Sequence, residues 1–190
     1  MKIGILAVQG DYEAHAKMLA RMGVEWVYVR TPQDLEGVGG VILPGGESTT
    51  QLQFLREEGL KDALQKFADN GGAFFGTCAG AILLAREVHN PAQDSLGLAD
   101  FTVTRNAYGR QLSSEILQGE SKLKSSPLEM VFIRAPQIEN LGPGWEVLAE
   151  RSGKPVLLRK GRMLVATFHP ELSDDPAVHE YFLMLVRNGA

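Results

Sequence analysis

Apolar residues along this chain fall into two textures. In the first half, short continuous apolar runs alternate with stretches whose apolar positions recur every third or fourth residue, the period of a helix with one buried face. Lys2–Val8 is such a run, bounded by Gly10, and reads as a strand covered on both faces. Tyr12–Met22, with Ala16, Leu19 and Ala20 in helical register, reads as the helix that follows. Val24–Val29 gives a second strand, stopped at Thr31-Pro32, and Gly40–Leu43 a third, which ends at Pro44-Gly45-Gly46. Ser48 or Thr49 is placed to cap the next helix, which runs through Leu55. Leu60–Ala68 forms another amphipathic helix, closed by Asn70-Gly71-Gly72. Ala73-Phe74-Phe75 is a fourth strand, and Ala79–Glu87 its helix.

After Asn90-Pro91 the pattern shortens. Leu98–Thr104, Gln111–Ile116, Met130–Ile133, Trp145–Ala149 and Pro155–Leu158 are strand-like with little helix between them, which predicts an antiparallel extension. Ser121–Pro127 reads as loop. Met163–Phe168 returns to the buried-strand pattern, His169-Pro170-Glu171 ends it, and Pro176–Val186 is a closing helix with proline in its first turn. Strand and helix alternating at these lengths imply an α/β fold, a mostly parallel, doubly wound sheet with right-handed crossovers. Ligands of such sheets sit outside the carboxyl ends of the strands, where both glycine turns, after Leu43 and after Phe75, fall.

Composition narrows the classes. With 190 residues and 44% hydrophobic content, one domain over 1–190 is expected. A net charge of −4 without a basic cluster offers no footprint for nucleic acid. No apolar run approaches membrane-spanning length, and Met1-Lys2-Ile3-Gly4-Ile5 enters a strand pattern without a signal-type core. A single cysteine suits a reducing compartment, so a soluble cytoplasmic protein is expected. The four histidines are dispersed without ligand spacing, so no metal is expected. Gly71–Cys78 has P-loop-like glycine spacing but Thr77 where lysine is needed, and no G-x-G-x-x-G occurs, so nucleotide binding is unsupported.

The one cysteine stands at the most informative point. Gly76-Thr77-Cys78-Ala79-Gly80, between a strand and a helix, has the G-x-C-x-G form of a nucleophile elbow, a turn so sharp that its centre is strained and its neighbours must be small. Such a turn presents the sulfur at the carboxyl edge and leaves the Ala79 and Gly80 N–H groups at a helix start, whose dipole favours thiolate. In extended chain, residues two apart point the same way, so His169 and Glu171 are expected on one side of a strand end at that edge. Thiol, imidazole and carboxylate make a nucleophilic triad. An isolated histidine there would more often merely cap a strand; the elbow reverses those odds. Pro44-Gly45-Gly46-Glu47-Ser48 lets backbone N–H groups approach an anion or oxyanion. Arg105 and Arg134 each follow a strand-like run, where a guanidinium can hold an amino-acid carboxylate. His15 and His179 lie in helical runs and His89 in a loop, and no role is assigned to them.

These strings resemble the class I, triad-type glutamine amidotransferases. Leu43-Pro44-Gly45-Gly46-Glu47-Ser48-Thr49-Thr50, Arg105-Asn106-Ala107-Tyr108-Gly109-Arg110-Gln111 and Val131-Phe132-Ile133-Arg134-Ala135-Pro136 are more narrowly similar to the glutaminase subunits of pyridoxal 5′-phosphate synthase. The resemblance spans Lys2 to about Leu183. It implies a three-layer, flavodoxin-like sheet and hydrolysis of L-glutamine to glutamate and ammonia, without a cofactor. Ammonia would pass to a partner synthase subunit, in a large hetero-oligomer, that builds the vitamin B6 cofactor from ribose 5-phosphate and glyceraldehyde 3-phosphate. It implies Cys78 as nucleophile, His169 as acid and base, and Glu171 as its orienting group. The oxyanion hole would use Ala79 with Gly45 or Gly46, and Gly46, Glu47, Ser48, Arg105, Ile133 and Arg134 would bind glutamine. Low activity before docking on the synthase is also implied. The same chemistry would serve another amidotransferase, such as the histidine-pathway one, and the elbow fold also admits a non-catalytic protein.

Overall fold

A computed structural model describes residues 1–106 and 114–188. Its centre is a seven-stranded sheet. Strands β1 (Lys2–Leu6), β2 (Glu25–Val29), β3 (Val38–Leu43), β4 (Ala73–Thr77) and β12 (Met163–Ala166) run parallel, in the spatial order β2-β1-β3-β4-β12. Two antiparallel strands, β11 (Lys154–Lys160) and β10 (Glu146–Arg151), continue it beyond β12.

The apolar runs are continuous because both faces of this sheet are covered, and strand alternation deals successive residues to opposite cores. Ile42, Phe75, Leu164 and Ala166 face helices α1 (Tyr12–Arg21) and α5 (Ala177–Arg187). Val41, Leu43, Phe74 and Val165 face α2 (Ser48–Glu57), α3 (Leu60–Asp69) and α4 (Ala79–Leu84). Each fully buried leucine or phenylalanine contributes roughly 1.5–3 kcal/mol.

The expected antiparallel extension is divided among three places. β10 and β11 join the main sheet, whereas β5 (Ala85–His89), β6 (Ala99–Thr104) and β9 (Gln137–Glu139) form a small sheet over α4, with β5 and β6 parallel. β7 (Ser114–Gly119) and β8 (Leu128–Ile133) form a separate antiparallel pair whose Leu128, Met130 and Phe132 pack into the α1/α5 core. The part of the predicted Gln111–Ile116 strand before Ser114 lies outside the described residues. Ser121–Pro127, read as loop, carries no strand or helix, but the Lys122 N–H donates to the Leu148 carbonyl at 2.8 Å.

Two boundaries differ from the sequence expectation. The helix predicted over Ala79–Glu87 ends at Leu84, because Ala85 and Val88 are buried while Arg86, Glu87 and His89 face solvent, a strand-edge pattern that pairs with β6. α2 has Glu47, not Ser48 or Thr49, at its cap, and no side chain among the described residues caps it; the Ser48 hydroxyl is turned to Gln93 instead.

α4 sits against the end of β3 because Gly80 has no side chain: a Cβ there would lie 1.9 Å from the Leu43 carbonyl oxygen. Backbone cannot give way as a flexible side chain can. Gly80→Ala is therefore expected to cost about 3 kcal/mol or more and to lower the melting temperature by roughly 6–12 °C. Calorimetry of the two proteins checks this, and a midpoint within about 2 °C of the parent contradicts the packing described.

Candidate active site

Four loops meet at the carboxyl edge of the parallel strands and line a cleft of about 270 Å³. Cys78 follows β4 and caps α4, at φ 46° and ψ −101°, a backbone conformation that costs a residue with a Cβ on the order of 1–3 kcal/mol. Its N–H donates to the Ala166 carbonyl at 2.9 Å and its carbonyl accepts from Ile82 N–H at 3.3 Å, which fixes the turn to β12 on one side and to the helix on the other. The thiol faces the Ile133 carbonyl at 3.8 Å.

His169 lies in the loop after β12 and lines the same cleft as Cys78. Nδ1–H of His169 donates to Glu171 Oε1 at 2.8 Å, both groups being buried. The pair does not arise as expected from extended chain. Pro170–Leu172 forms a 3₁₀ turn, which folds the carboxylate back beneath the imidazole. Burial opposes charge on His169, but the neighbouring Cys78 and Glu171 outweigh that and raise its pKa to about 10. Burial pushes the Glu171 carboxyl up, partly offset by His169. A second carboxylate, Asp11, half-exposed at the cleft wall, stands 3.8 Å from His169 Nδ1.

Asp11, His169 and Glu171 bring one potential ligand atom each within 4.8 Å of one another. A cation there would compete with His169 for the carboxylate that holds it.

The glycine loop after β3 passes directly under the imidazole; a Cβ on Gly45 would lie 2.3 Å from His169 Cε1. Gly45 is fully engaged as backbone, its N–H donating to Thr77 Oγ1 at 3.1 Å and its carbonyl accepting from Asp11 N–H at 3.0 Å. Gly46, unlike Gly45, lines the cleft. Of the two glycines expected to offer an oxyanion donor, Gly45 therefore has its N–H turned inward to Thr77 Oγ1.

Three glutamines that the sequence reading passed over hold this loop. Gln9 Oε1 accepts from Glu47 N–H at 2.8 Å, and buried Gln51 donates to the Gln9 and Pro44 carbonyls at 3.0 and 3.1 Å. Gln93 Oε1 accepts from both Ser48 Oγ (2.9 Å) and Arg105 Nη1 (2.7 Å), bringing together two residues predicted to bind the same ligand. Arg134, at φ 46°, pairs with Glu47 at 3.2 Å across the mouth. Both are half-exposed or more, so the pair adds little to stability and its groups remain available to a zwitterion. Gly46, Glu47, Ser48, Arg105, Ile133 and Arg134 thus all line the cleft with Cys78 and His169. Ala107 to Gln111 of the arginine-containing string lie outside the described residues.

Behind Glu171 lies a second pair that sequence reasoning left without a role. His15 of α1 and His179 of α5, both fully buried, meet with His15 Nδ1 3.0 Å from His179 Nε2. His15 Nε2 is 3.2 Å from Thr77 Oγ1 and 3.4 Å from Glu171 Oε2. Their signal was present: each histidine falls on the buried stripe of its helix, with Leu19 four residues after His15 and Phe182 and Leu183 three and four after His179.

A model of the SNO glutamine amidotransferase family matches residues 5–188. The chain is 54% identical over 189 residues to the pyridoxal 5′-phosphate synthase subunit PdxT of Koribacter versatilis (strain Ellin345), covering 100% of this chain and 97% of that one. It is 46% identical to the subunit of the same name from Thermotoga maritima, covering 98% and 100%. A crystal structure described as a glutamine amidotransferase superposes with a TM-score of 0.92 at 46% identity, over 97% of this chain and 98% of that one. The crystal structure of a putative GMP synthase protein from Thermoplasma acidophilum, at 16% identity over 100% of this chain and 95% of that one, shares the fold with a TM-score of 0.70.

Burial, and for His15 also the neighbouring His179 and His169, holds both rear imidazoles neutral: His15 well below its ordinary 6.5 and His179 at about 3. Unfolded, both take up protons below about 6.5 that the folded chain refuses, so their contribution to stability is present above that pH and lost as pH falls toward 3. Glu171 works in the opposite sense but is common to parent and variant. In urea titrations, His179→Gln is expected to flatten the acid limb of stability against pH by up to about 1.4 kcal/mol per pH unit. Parallel limbs contradict the placement of His179 as a buried neutral group.

Proposed function

Because the chain belongs to the SNO glutamine amidotransferase family, we propose that it is the glutaminase subunit of a pyridoxal 5′-phosphate synthase, one glutaminase domain over 1–190. The observation that carries the chemistry is that an elbow cysteine shares one cleft with His169, whose Nδ1 is held by Glu171 at 2.8 Å. The Cys78 sulfur, its proton passed to His169, attacks the side-chain amide carbon of glutamine, and the carbonyl oxygen takes the negative charge toward the N–H groups of Ala79 and Gly46. His169 gives its proton to the departing nitrogen, the C–N bond breaks, and ammonia leaves a glutamyl thioester. His169 then takes a proton from water as it attacks the thioester, releasing glutamate and restoring the thiol pair. Glu171 holds the imidazole in the tautomer both steps need. At the mouth, Arg105 and Arg134 suit the substrate carboxylate and Glu47 its ammonium group.

The partner is a synthase subunit that accepts ammonia and forms the vitamin B6 cofactor from ribose 5-phosphate and glyceraldehyde 3-phosphate. The names of the PdxT relatives support this assignment over another amidotransferase pathway. The assembly is a hetero-oligomer in the cytoplasm, in keeping with the lone unpaired cysteine. The subunit is expected to be poorly active until docked.

Ammonia release from glutamine, measured with and without the cognate synthase, tests the reading. Strong release is expected in the complex, with Cys78→Ala lowering it by at least about 10³-fold while leaving the melting temperature and synthase binding unchanged. A complex that releases no ammonia overturns the assignment, and so does a Cys78→Ala complex as active as its parent.

A further inference from the structure

Glu171 has two carboxylate oxygens in a fully buried place, and only one of them is used by His169. Oε2 lacks a well-formed hydrogen bond among the described residues; the donor directed at it is His15 Nε2, at 3.4 Å. The same nitrogen lies 3.2 Å from Thr77 Oγ1, so that a proton on it would face both oxygens.

Counting protons selects the tautomers. A neutral His15 carries one N–H. With it on Nε2, it faces Glu171 and Thr77, and the Nδ1 lone pair accepts from His179 Nε2–H at 3.0 Å. His179 Nδ1, which is buried without a partner among the described residues, is then only a bare lone pair. The opposite assignment sets the His15 Nε2 lone pair against a carboxylate and leaves a buried His179 N–H unpaired, the costlier orphan.

We propose that His15, its tautomer fixed by His179, is a positioning residue of the glutaminase triad: it donates to the second oxygen of Glu171 and keeps that carboxylate oriented and ionised for His169. The proposal rests on the glutaminase reading above. Two imidazoles on two oxygens set the carboxylate plane from both sides. Through Thr77 Oγ1, which also accepts the Gly45 N–H at 3.1 Å, the same ring ties the triad to the glycine loop. The charge balance favours this role. Burial raises the Glu171 carboxyl and Asp11 adds to that rise, so a donor on Oε2 offsets what His169 alone leaves. The groups facing this site are His169, Asp11, His15 and His179, with Cys78 beyond His169.

The test compares His15→Gln, whose amide N–H replaces Nε2, with His15→Asn, whose amide reaches only the Nδ1 position. Both are assayed in complex with the synthase for kcat and KM of ammonia release across pH. His15→Gln is expected to keep kcat within about threefold of the parent. His15→Asn is expected to lose about 10- to 100-fold in kcat, with KM within about twofold, and its acidic limb is expected to move up by about one pH unit. Equal kcat and unmoved limbs in the two variants overturn the proposal, as does equal loss in both. If His15→Asn fails to fold, His179→Phe, which removes the proton that fixes the His15 tautomer, has to lower kcat and move the acidic limb the same way; full activity there overturns it. A parent complex that releases no ammonia overturns this proposal together with the glutaminase reading, whereas an active parent with indifferent variants overturns this one alone.

Discussion

A residue with a side chain sits at φ 46° and ψ −101° at the end of β4, and the surrounding structure exists in large part to keep it there. The strain is opposed by three contacts: Cys78 N–H on the Ala166 carbonyl, Ile82 N–H on the Cys78 carbonyl, and the close seat of Gly80 on Leu43. Each comes from a different element, so no single fluctuation relaxes the turn. Gly76 and Gly80 make the third contact possible, since a Cβ on Gly76 would itself meet the Gly80 carbonyl at 2.8 Å.

Sheet order then decides which loops the sulfur meets. β12, β4, β3 and β1 are neighbours in that sequence, so the segments leaving their carboxyl ends bring His169, Cys78, Gly46 with Glu47, and Gln9–Asp11 to one cleft. Parallel strands deliver four independent loops to the same edge, each anchored by a buried strand. The helices behind them contribute a buried polar layer. α1 and α5 cover one face of the sheet, and His15 and His179, 164 residues apart, meet there beneath Glu171.

Much of this was legible in the residues. Continuous apolar runs place the parallel strands, period-3.6 patterns place their helices, and glycine spacing marks the elbow and the turn after β3. What escaped was tertiary. Ala85–His89 has helix-compatible composition, and only pairing with β6 makes it a strand. His169 and Glu171 were correctly paired for an incorrect geometric reason, because the proline after His169 starts a 3₁₀ turn. Gln9, Gln51 and Gln93 are ordinary polar residues until the loop folds over them. A histidine inside the apolar stripe of a helix was a visible signal; what it touches, on a helix from the other end of the chain, was not.

The central claim is that His169, held by Glu171, makes the one sulfur reactive toward a glutamine-shaped substrate. Its most direct measurement is labelling of the synthase-bound subunit by a glutamine-derived alkylating analogue, located by peptide mass spectrometry. The account predicts modification of Cys78 that excess glutamine prevents and that His169→Gln abolishes. An unlabelled Cys78, or labelling as fast in His169→Gln as in the parent, would contradict it.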